Sequence, residues 1–328
     1  MVLFSLFYVM NFVSLGSNIS DFRYCSSYCI DQVISVGRSY KDENVDIGNC
    51  FFQRINLFNG DGGVIYASKS IYSMRISYTS FHDCSSSSNG GAICYNATSS
   101  ELNKICAKNC SSKVSNHFAY LGSNQINNVC YLSMTACSKT AIGHSSINVI
   151  NGNQSINNNN MSLNIMKYVS GIYFGDTPFT EARFCTVYKN SVSEHVCIYY
   201  INAHGIFSFS NIIQNNSPKA LGVVRLYSGT LTMDQCIFSN NQNILFYVQT
   251  KITISNSFIY HSGTLTSGTV DLKTNISLSF CQSLIMNYYQ TNGCDADFPL
   301  IIALSNPLTH RLQSFKMNIF LPISLFCN

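Results

Sequence analysis

At 328 residues the chain has room for two or three ordinary domains or for one long repeat array. Only 10% of it is charged, against about 25% in an ordinary soluble domain, so solubility rests on Asn, Ser, Thr and Tyr. The net charge of +4 is spread along the chain with no Lys/Arg cluster, which excludes a nucleic-acid footprint.

The first sixteen positions are almost all apolar, from Val2 to Leu15, and are followed by the small residues Gly16 and Ser17. That run has the length of a signal-peptide core and is short of the ~20 residues of a membrane span. No basic residue precedes it. Residues 1–17 therefore read as a secretory signal peptide, with an apolar cap strand as the alternative, and 18–44 as an N-terminal cap.

From Val45 a phrase recurs: apolar, x, apolar, x, x, small, x, apolar. Its copies start near Val45, Met74, Ile105, Leu132, Met161, Thr180, Ile206, Leu231, Ile252 and Leu278, a spacing of ~21 to ~31 residues that signals a solenoid. Alternation at the first positions describes a strand, and the two-residue gap before the small residue requires a bend. A second phrase follows, clearest at Gly62-Gly63-Val64-Ile65-Tyr66 and Gly90-Gly91-Ala92-Ile93-Cys94, and weaker at Leu221-Gly222-Val223-Val224 and Ser267-Gly268-Thr269-Val270. Glycine there fits a turn with φ > 0 or close approach between coils. Two β-phrases per repeat without helical periodicity predict an all-β fold, a single-stranded, right-handed parallel β-helix of about ten coils over 45–297. Residues 298–328 read as a tail, either a cap or disordered; the runs Leu300–Leu304 and Met317–Phe326 are too short to span a membrane.

Stacked coils turn each position into a ladder. The small position gives Cys50, Thr79, Cys110, Cys137, Met166, Cys185, Asn211, Cys236, Ser257 and Ser283; the last apolar position gives Phe52, Phe81, Val187, Ile213, Phe238 and Ile259. Fifteen cysteines leave at least one without an intrachain partner. The ladder assigns about five of them to core packing, while Cys25/Cys29 and Cys281/Cys294 are disulfide candidates at the ends. The loose spacings Cys25-x-x-x-Cys29 and Cys106-x-x-x-Cys110 lack the paired motif of a structural zinc site.

No metal, cofactor or catalytic constellation is legible. A polysaccharide lyase or hydrolase on this fold would need paired carboxylates, or carboxylates with calcium, on one outer groove. The chain has 15 acids, and Asp83, Asp176, Asp234 and Asp271 stand isolated, as turn residues do. Seven Asn-x-Ser/Thr sequons at Asn18, Asn96, Asn109, Asn153, Asn160, Asn215 and Asn275 are candidate glycosylation sites.

Gly90-Gly91-Ala92-Ile93, the near copy Gly62-Gly63-Val64-Ile65, and Phe238-Ser239-Asn240-Asn241 carry a resemblance. Over roughly 45 to 290 the chain is similar to the polymorphic-outer-membrane-protein-like right-handed β-helix surface proteins of parasitic protozoa. Bacterial relatives repeat Gly-Gly-Ala-Ile and Phe-x-x-Asn, each matched once here. The resemblance implies a secreted or cell-surface protein for adhesion or antigenic display, with a host-cell protein or glycan as partner and no catalytic residues. The alternative is the carbohydrate-active enzyme above.

Overall fold

A computed structural model describes residues 44–138, 143–217 and 221–273, together with the strands Tyr28–Ile30, Val33–Ile34 and Ser39–Tyr40. The described residues contain no helix, and every paired strand is parallel to its neighbour. Strands pair not with the next strand in sequence but with the equivalent strand one repeat later, so the chain winds as a parallel β-solenoid of about eight turns. Each turn rises about 4.8 Å, the inter-strand spacing. Parallel pairing already begins at Tyr28–Ile30 against Phe51–Gln53, inside the segment expected to be a cap. The expected signal peptide, the tail, the repeat at Leu278, Ser283 and the candidate pairs Cys25/Cys29 and Cys281/Cys294 lie outside the residues whose side chains are described.

Each turn has three faces. The first runs through Ile65, Ile93, Ala119, Ile147, Ile172, Ile198, Val224 and Phe246, which are all buried. The second stacks Ile47, Ile76, Leu102, Val129, Ile156, Ala182, Phe207, Met233 and Ile254. The third stacks Phe52, Phe81, Ala107, Met134, Met161, Val187, Ile212, Phe238 and Ile259, so the bulky ladder runs through Ile212 rather than Ile213.

The corners explain the small residues. At the bend between the second and third faces, nine successive turns place one residue in the left-handed region: Asn49, Tyr78, Lys104, Tyr131, Asn158, Phe184, Phe209, Gln235 and Asn256. At the next bend Arg54, Asp83, Asn109, Ala136, Leu163, Lys189, Gln214 and Asn240 do the same. Such a φ costs an L-residue about 1–2 kcal/mol, while the preceding carbonyl still accepts a backbone N–H of the adjoining turn, as Ser77 O does from Asn49 N at 3.1 Å. The side chain after the bend adds a second donor in several turns. Thr79, Cys185, Ser210, Cys236 and Ser257 each donate to the carbonyl two residues earlier, at 2.8, 3.4, 2.6, 3.4 and 2.6 Å. A compact side chain carrying S–H or O–H suits this corner, and Ile105, Leu132 and Asn159 fill it in three other turns.

The single small column expected from the sequence is in fact two. Cys50, Thr79, Ile105, Leu132, Asn159, Cys185, Ser210, Cys236 and Ser257 share the first bend. Cys110 and Cys137 belong to the second, with Ile55 and Cys84 before them and Asn164, Asn190, Asn215 and Asn241 after. Met166 sits in a short strand beyond that bend, and Asn211 heads the third face. The cause is a polar stretch inside the rod. The repeats begin at Ser100, Asn127 and Gln154, aligned with Met74, and not at Ile105, Leu132 and Met161. Ser100 Oγ donates to Asn127 Oδ1, and Asn127 Nδ2 donates to Gln154 Oε1 at 3.0 Å, so these buried polar groups satisfy one another.

The glycine phrase keeps its expected place in two turns. Gly62 and Gly90 have φ of 62° and 63°. At Gly91 the adjoining turn is so close that a Cβ would stand 2.1 Å from His117 O. Ser267-Gly268 is a different feature: Gly268 pairs with Val248 at the end of the first face.

Candidate functional site: an aromatic stripe on the first face

Between the inward positions of the first face, one residue per turn points outward. In order these are Tyr66, Cys94, Tyr120, Asn148, Tyr173, Tyr199, Arg225 and Tyr247, in continuous register. The turn that enters the face adds a parallel row, with Asp61, Asn89, Asn116, His144, Tyr168 and His195. The fold thus forces side chains ~30 residues apart in sequence into contact every ~4.8 Å.

The two ends of the stripe differ. Toward the N-terminus the rows stand apart and enclose an open cleft of about 460 Å³, lined by Asp61, Tyr66, Asn89, Asn96, Tyr120 and Asn148 among others. Asp61 is the only acid in that lining; its Oδ1 accepts from Asn89 N at 2.9 Å and from Asn89 Nδ2 at 3.0 Å. Burial first, and the Asp61 charge second, push the Cys94 thiol up to about 12, so it stays protonated and unreactive.

Toward the C-terminus the rows close on each other. His144 stacks on Tyr168 with centroids 5.2 Å apart, and Tyr173 meets Tyr199 edge-on at 5.4 Å. His195 lies 4.8 Å from Tyr199. The Arg225 guanidinium sits 5.2 Å from the centroids of both Tyr199 and Tyr247 and 5.5 Å from Tyr227, within cation–π range of all three. Arg225 Nη1 donates to His195 Nε2. A guanidinium has no acceptor, so His195 Nε2 is bare and its proton is on Nδ1. Burial, then Arg225, then His144 hold His195 down at about 4. Burial also raises Tyr173 to about 12, with Tyr199 and Asp176 adding to it. Near neutral pH His195, Tyr173 and Tyr199 are therefore neutral rings beside the Arg225 cation.

The acids elsewhere are spent in turns. Asp83, Asp176 and Asp234 accept from Asn109, Asn202 and Asn256 of the following turn at 3.0, 2.8 and 2.8 Å, and Asp271 pairs with Lys251 and Lys273 at 3.0 Å each. Among the described residues no group of three His, Cys, Asp or Glu side chains is placed to hold a metal ion, and no helix is long and apolar enough to cross a membrane.

The sequon residues fall in different environments. Asn153 is exposed, Asn96 and Asn109 are half-buried, and Asn160 and Asn215 are fully buried. The Asn215 amide donates to Val187 O at 2.8 Å and to Asn241 Oδ1 at 3.0 Å, so in the folded rod it is a structural rung. Asn18 and Asn275 lie outside the described residues. Among the described residues Cys84, Cys110, Cys137, Cys185, Cys197 and Cys236 are buried free thiols; Cys106 is disulfide-bonded.

The stripe escaped a reading of the sequence alone because its members alternate with core residues and share no motif. The available signal was a tyrosine directly after the opening apolar run of the second phrase, as in Val64-Ile65-Tyr66, Cys197-Ile198-Tyr199 and Leu245-Phe246-Tyr247. No family model, curated protein or solved structure matches the chain.

Proposed function

We propose that this protein is a non-enzymatic secreted or cell-surface interaction module that binds a glycan chain along the aromatic stripe of its first face, in adhesion or host contact. The observation that carries the reading is the register of the stripe: Tyr66, Tyr120, Tyr173, Tyr199 and Tyr247 point outward from one straight face, flanked by Asn and His. Tyr173 and Tyr199 also pack against Val169 and Val196 in a small cluster of their own, while Tyr66, Tyr120 and Tyr247 lie outside the core clusters. Tyrosine rings offer flat apolar area to the C–H faces of sugars, and the neighbouring amides and phenol hydroxyls both donate and accept toward sugar hydroxyls. The repeat along the stripe is close to the length of one hexose unit, so a linear oligosaccharide meets an equivalent position at each step.

Location outside the cell is supported by the apolar run before Gly16, by sequons such as the exposed Asn153, and by the low charge. The resemblance carried by Gly90-Gly91-Ala92-Ile93 to polymorphic-outer-membrane-protein-like surface proteins points the same way. The many free thiols are compatible with an oxidising compartment because burial keeps them protonated; Cys185 and Cys197 are pushed up to about 12.

The test is a glycan array probed with the purified chain and with a variant carrying Tyr66→Ala, Tyr120→Ala and Tyr173→Ala. Binding by the parent that falls by about tenfold or more in the variant supports the reading. A folded parent that binds no glycan, or a variant that binds as well as the parent, removes it.

A further inference from the structure

Arg225 differs from the paired cations of the rod and, unlike Lys104, Lys108 and Lys113, lies in the outward stripe of the first face. Arg75, Lys167, Arg183, Lys251 and Lys273 each lie against a carboxylate. Arg225 has no carboxylate partner among the described residues. It takes the place of a ring in the outward stripe, with Tyr199 one turn before it and Tyr247 one turn after, and it is half-buried.

Its hydrogen bonds are incomplete. Arg225 Nε is buried without a partner, and so is Nδ1 of the adjacent His195, which carries the ring proton when Nε2 accepts from Arg225. Two unanswered N–H donors and an uncompensated positive charge thus occupy one cluster. A buried donor without an acceptor is costly, and a charged one more so. What completes such a cluster is an acceptor-rich anionic group, which a guanidinium binds through its in-plane donors.

On the premise that the stripe binds a glycan, we propose that the Arg225–His195 cluster is a subsite for an acidic sugar unit, one bearing a carboxylate or a sulfate. Tyr227 and Tyr247, which are more exposed than Tyr199, then contact the ring of that unit while Arg225 and His195 take its anion. A peptide fits less well: the backbone groups of the first face are already used between turns, and a peptide would bring further N–H donors to a cluster that lacks acceptors. At the far end of the stripe Asp61 disfavours an anion, so the ligand is read with a polarity, acidic toward Tyr247 and neutral toward Tyr66.

Isothermal titration with three oligosaccharides of equal length, neutral, hexuronate-containing and sulfated, decides it. The proteins are the parent chain, Arg225→Gln, Arg225→Lys and the control Lys104→Ala at a distant corner, each checked for folding by circular dichroism and thermal melting. The expected result is that the parent prefers one or both acidic ligands, that added salt weakens that binding, and that Arg225→Gln lowers it by about tenfold while lowering binding of the neutral ligand far less. Arg225→Lys restores part of the preference, and Lys104→Ala changes nothing. Carboxylate and sulfate are distinguished by which ligand shows the Arg225 dependence. Equal binding of neutral and acidic ligands, or acidic binding indifferent to Arg225→Gln, overturns the subsite and leaves glycan binding standing. Binding of an acidic peptide but of no oligosaccharide overturns both.

Discussion

The two halves of the rod solve the same corner with different chemistry. In the second bend, Cys84, Cys110 and Cys137 occupy three successive turns of the first half, and Asn164, Asn190, Asn215 and Asn241 occupy the next four. The backbone is the same in both, with the preceding residue at φ near 50–58°. The thiols donate back within their own turn or to a carbonyl of the turn before, as Cys84 Sγ does to His82 O at 3.4 Å and Cys110 Sγ to Phe81 O at 3.5 Å. They accept poorly. Each asparagine instead offers an oxygen that accepts the bend N–H and the amide of the previous rung, as Asn190 Oδ1 does from Asn164 N at 2.9 Å and Nδ2 at 3.0 Å. The corner therefore selects for compact size first; what else the side chain does decides whether neighbouring turns are merely packed or also cross-linked.

Breaking a rung in the amide half has the largest expected effect. Asn190→Ala leaves two Asn164 donors without their acceptor and Met161 O without its donor, a loss of about 3–5 kcal/mol. Cys110→Ala, at the same place in the thiol half, removes a packed sulfur and its weak S–H bond to Phe81 O and costs about 1–2 kcal/mol. Urea denaturation of both variants checks the difference; equal losses would mean that the amide ladder adds nothing beyond packing.

Exchanging the two chemistries sharpens the contrast. Cys84→Asn puts an amide between Ile55 and Cys110, with no amide rung on either side, and is expected to cost about 2–3 kcal/mol. Cys137→Asn adjoins Asn164, whose oxygen already accepts Cys137 N at 2.8 Å, and extends the ladder; its melting temperature should stay within a few degrees of the parent's.

A pH series separates the halves by a third route. His195, in the second half, stays neutral in the folded rod down to about 4, because of burial first and Arg225 second, whereas the unfolded chain takes up its proton near pH ~6.5. Stability is therefore fully present above pH ~6.5 and is lost as pH falls from there to about 4, by about 1–2 kcal/mol with solvent screening of the exposed part of the ring. His195→Gln should remove part of that slope, the rest coming from His82 and His144, which burial also holds below the ordinary imidazole range. A slope unchanged in the variant would place the titration elsewhere.

The smallest effect should be common to both halves. Ala136→Gly and Gln214→Gly relieve the left-handed corner at φ of 50° and 54°. Each is expected to stabilise by about 0.5–1 kcal/mol, the strain relieved exceeding the entropy that glycine adds to the unfolded chain. Unequal gains, read from melting midpoints, would show that the corners of the two halves are not equivalent.

How far the sequence could be read follows from the same chemistry. Where the inward positions are apolar, as at Val45, Met74, Leu231 and Ile252, the phrase located the turns correctly. Where the interior is polar, at Ser100, Asn127 and Gln154, the pattern slipped to the next apolar residues, and one slip merged two corner columns into one. A hydrophobic pattern cannot register buried side chains that are satisfied only by one another. The stripe was less legible still, since outward residues answer to no packing constraint and leave no periodic apolar mark.

The sequence by itself determined that this chain winds as a parallel β-solenoid with small residues at its corners, because those features depend on spacing, size and backbone conformation, all local properties. Only the tertiary structure decided which residues become neighbours across turns. It placed Cys137 beneath Asn164, turned the Asn215 sequon into a ladder rung, and brought His195, Tyr199, Arg225 and Tyr247 together on one outer face. Those contacts span ~20 to 30 residues of sequence, and the register between successive turns, which varies with the length of each, fixes them.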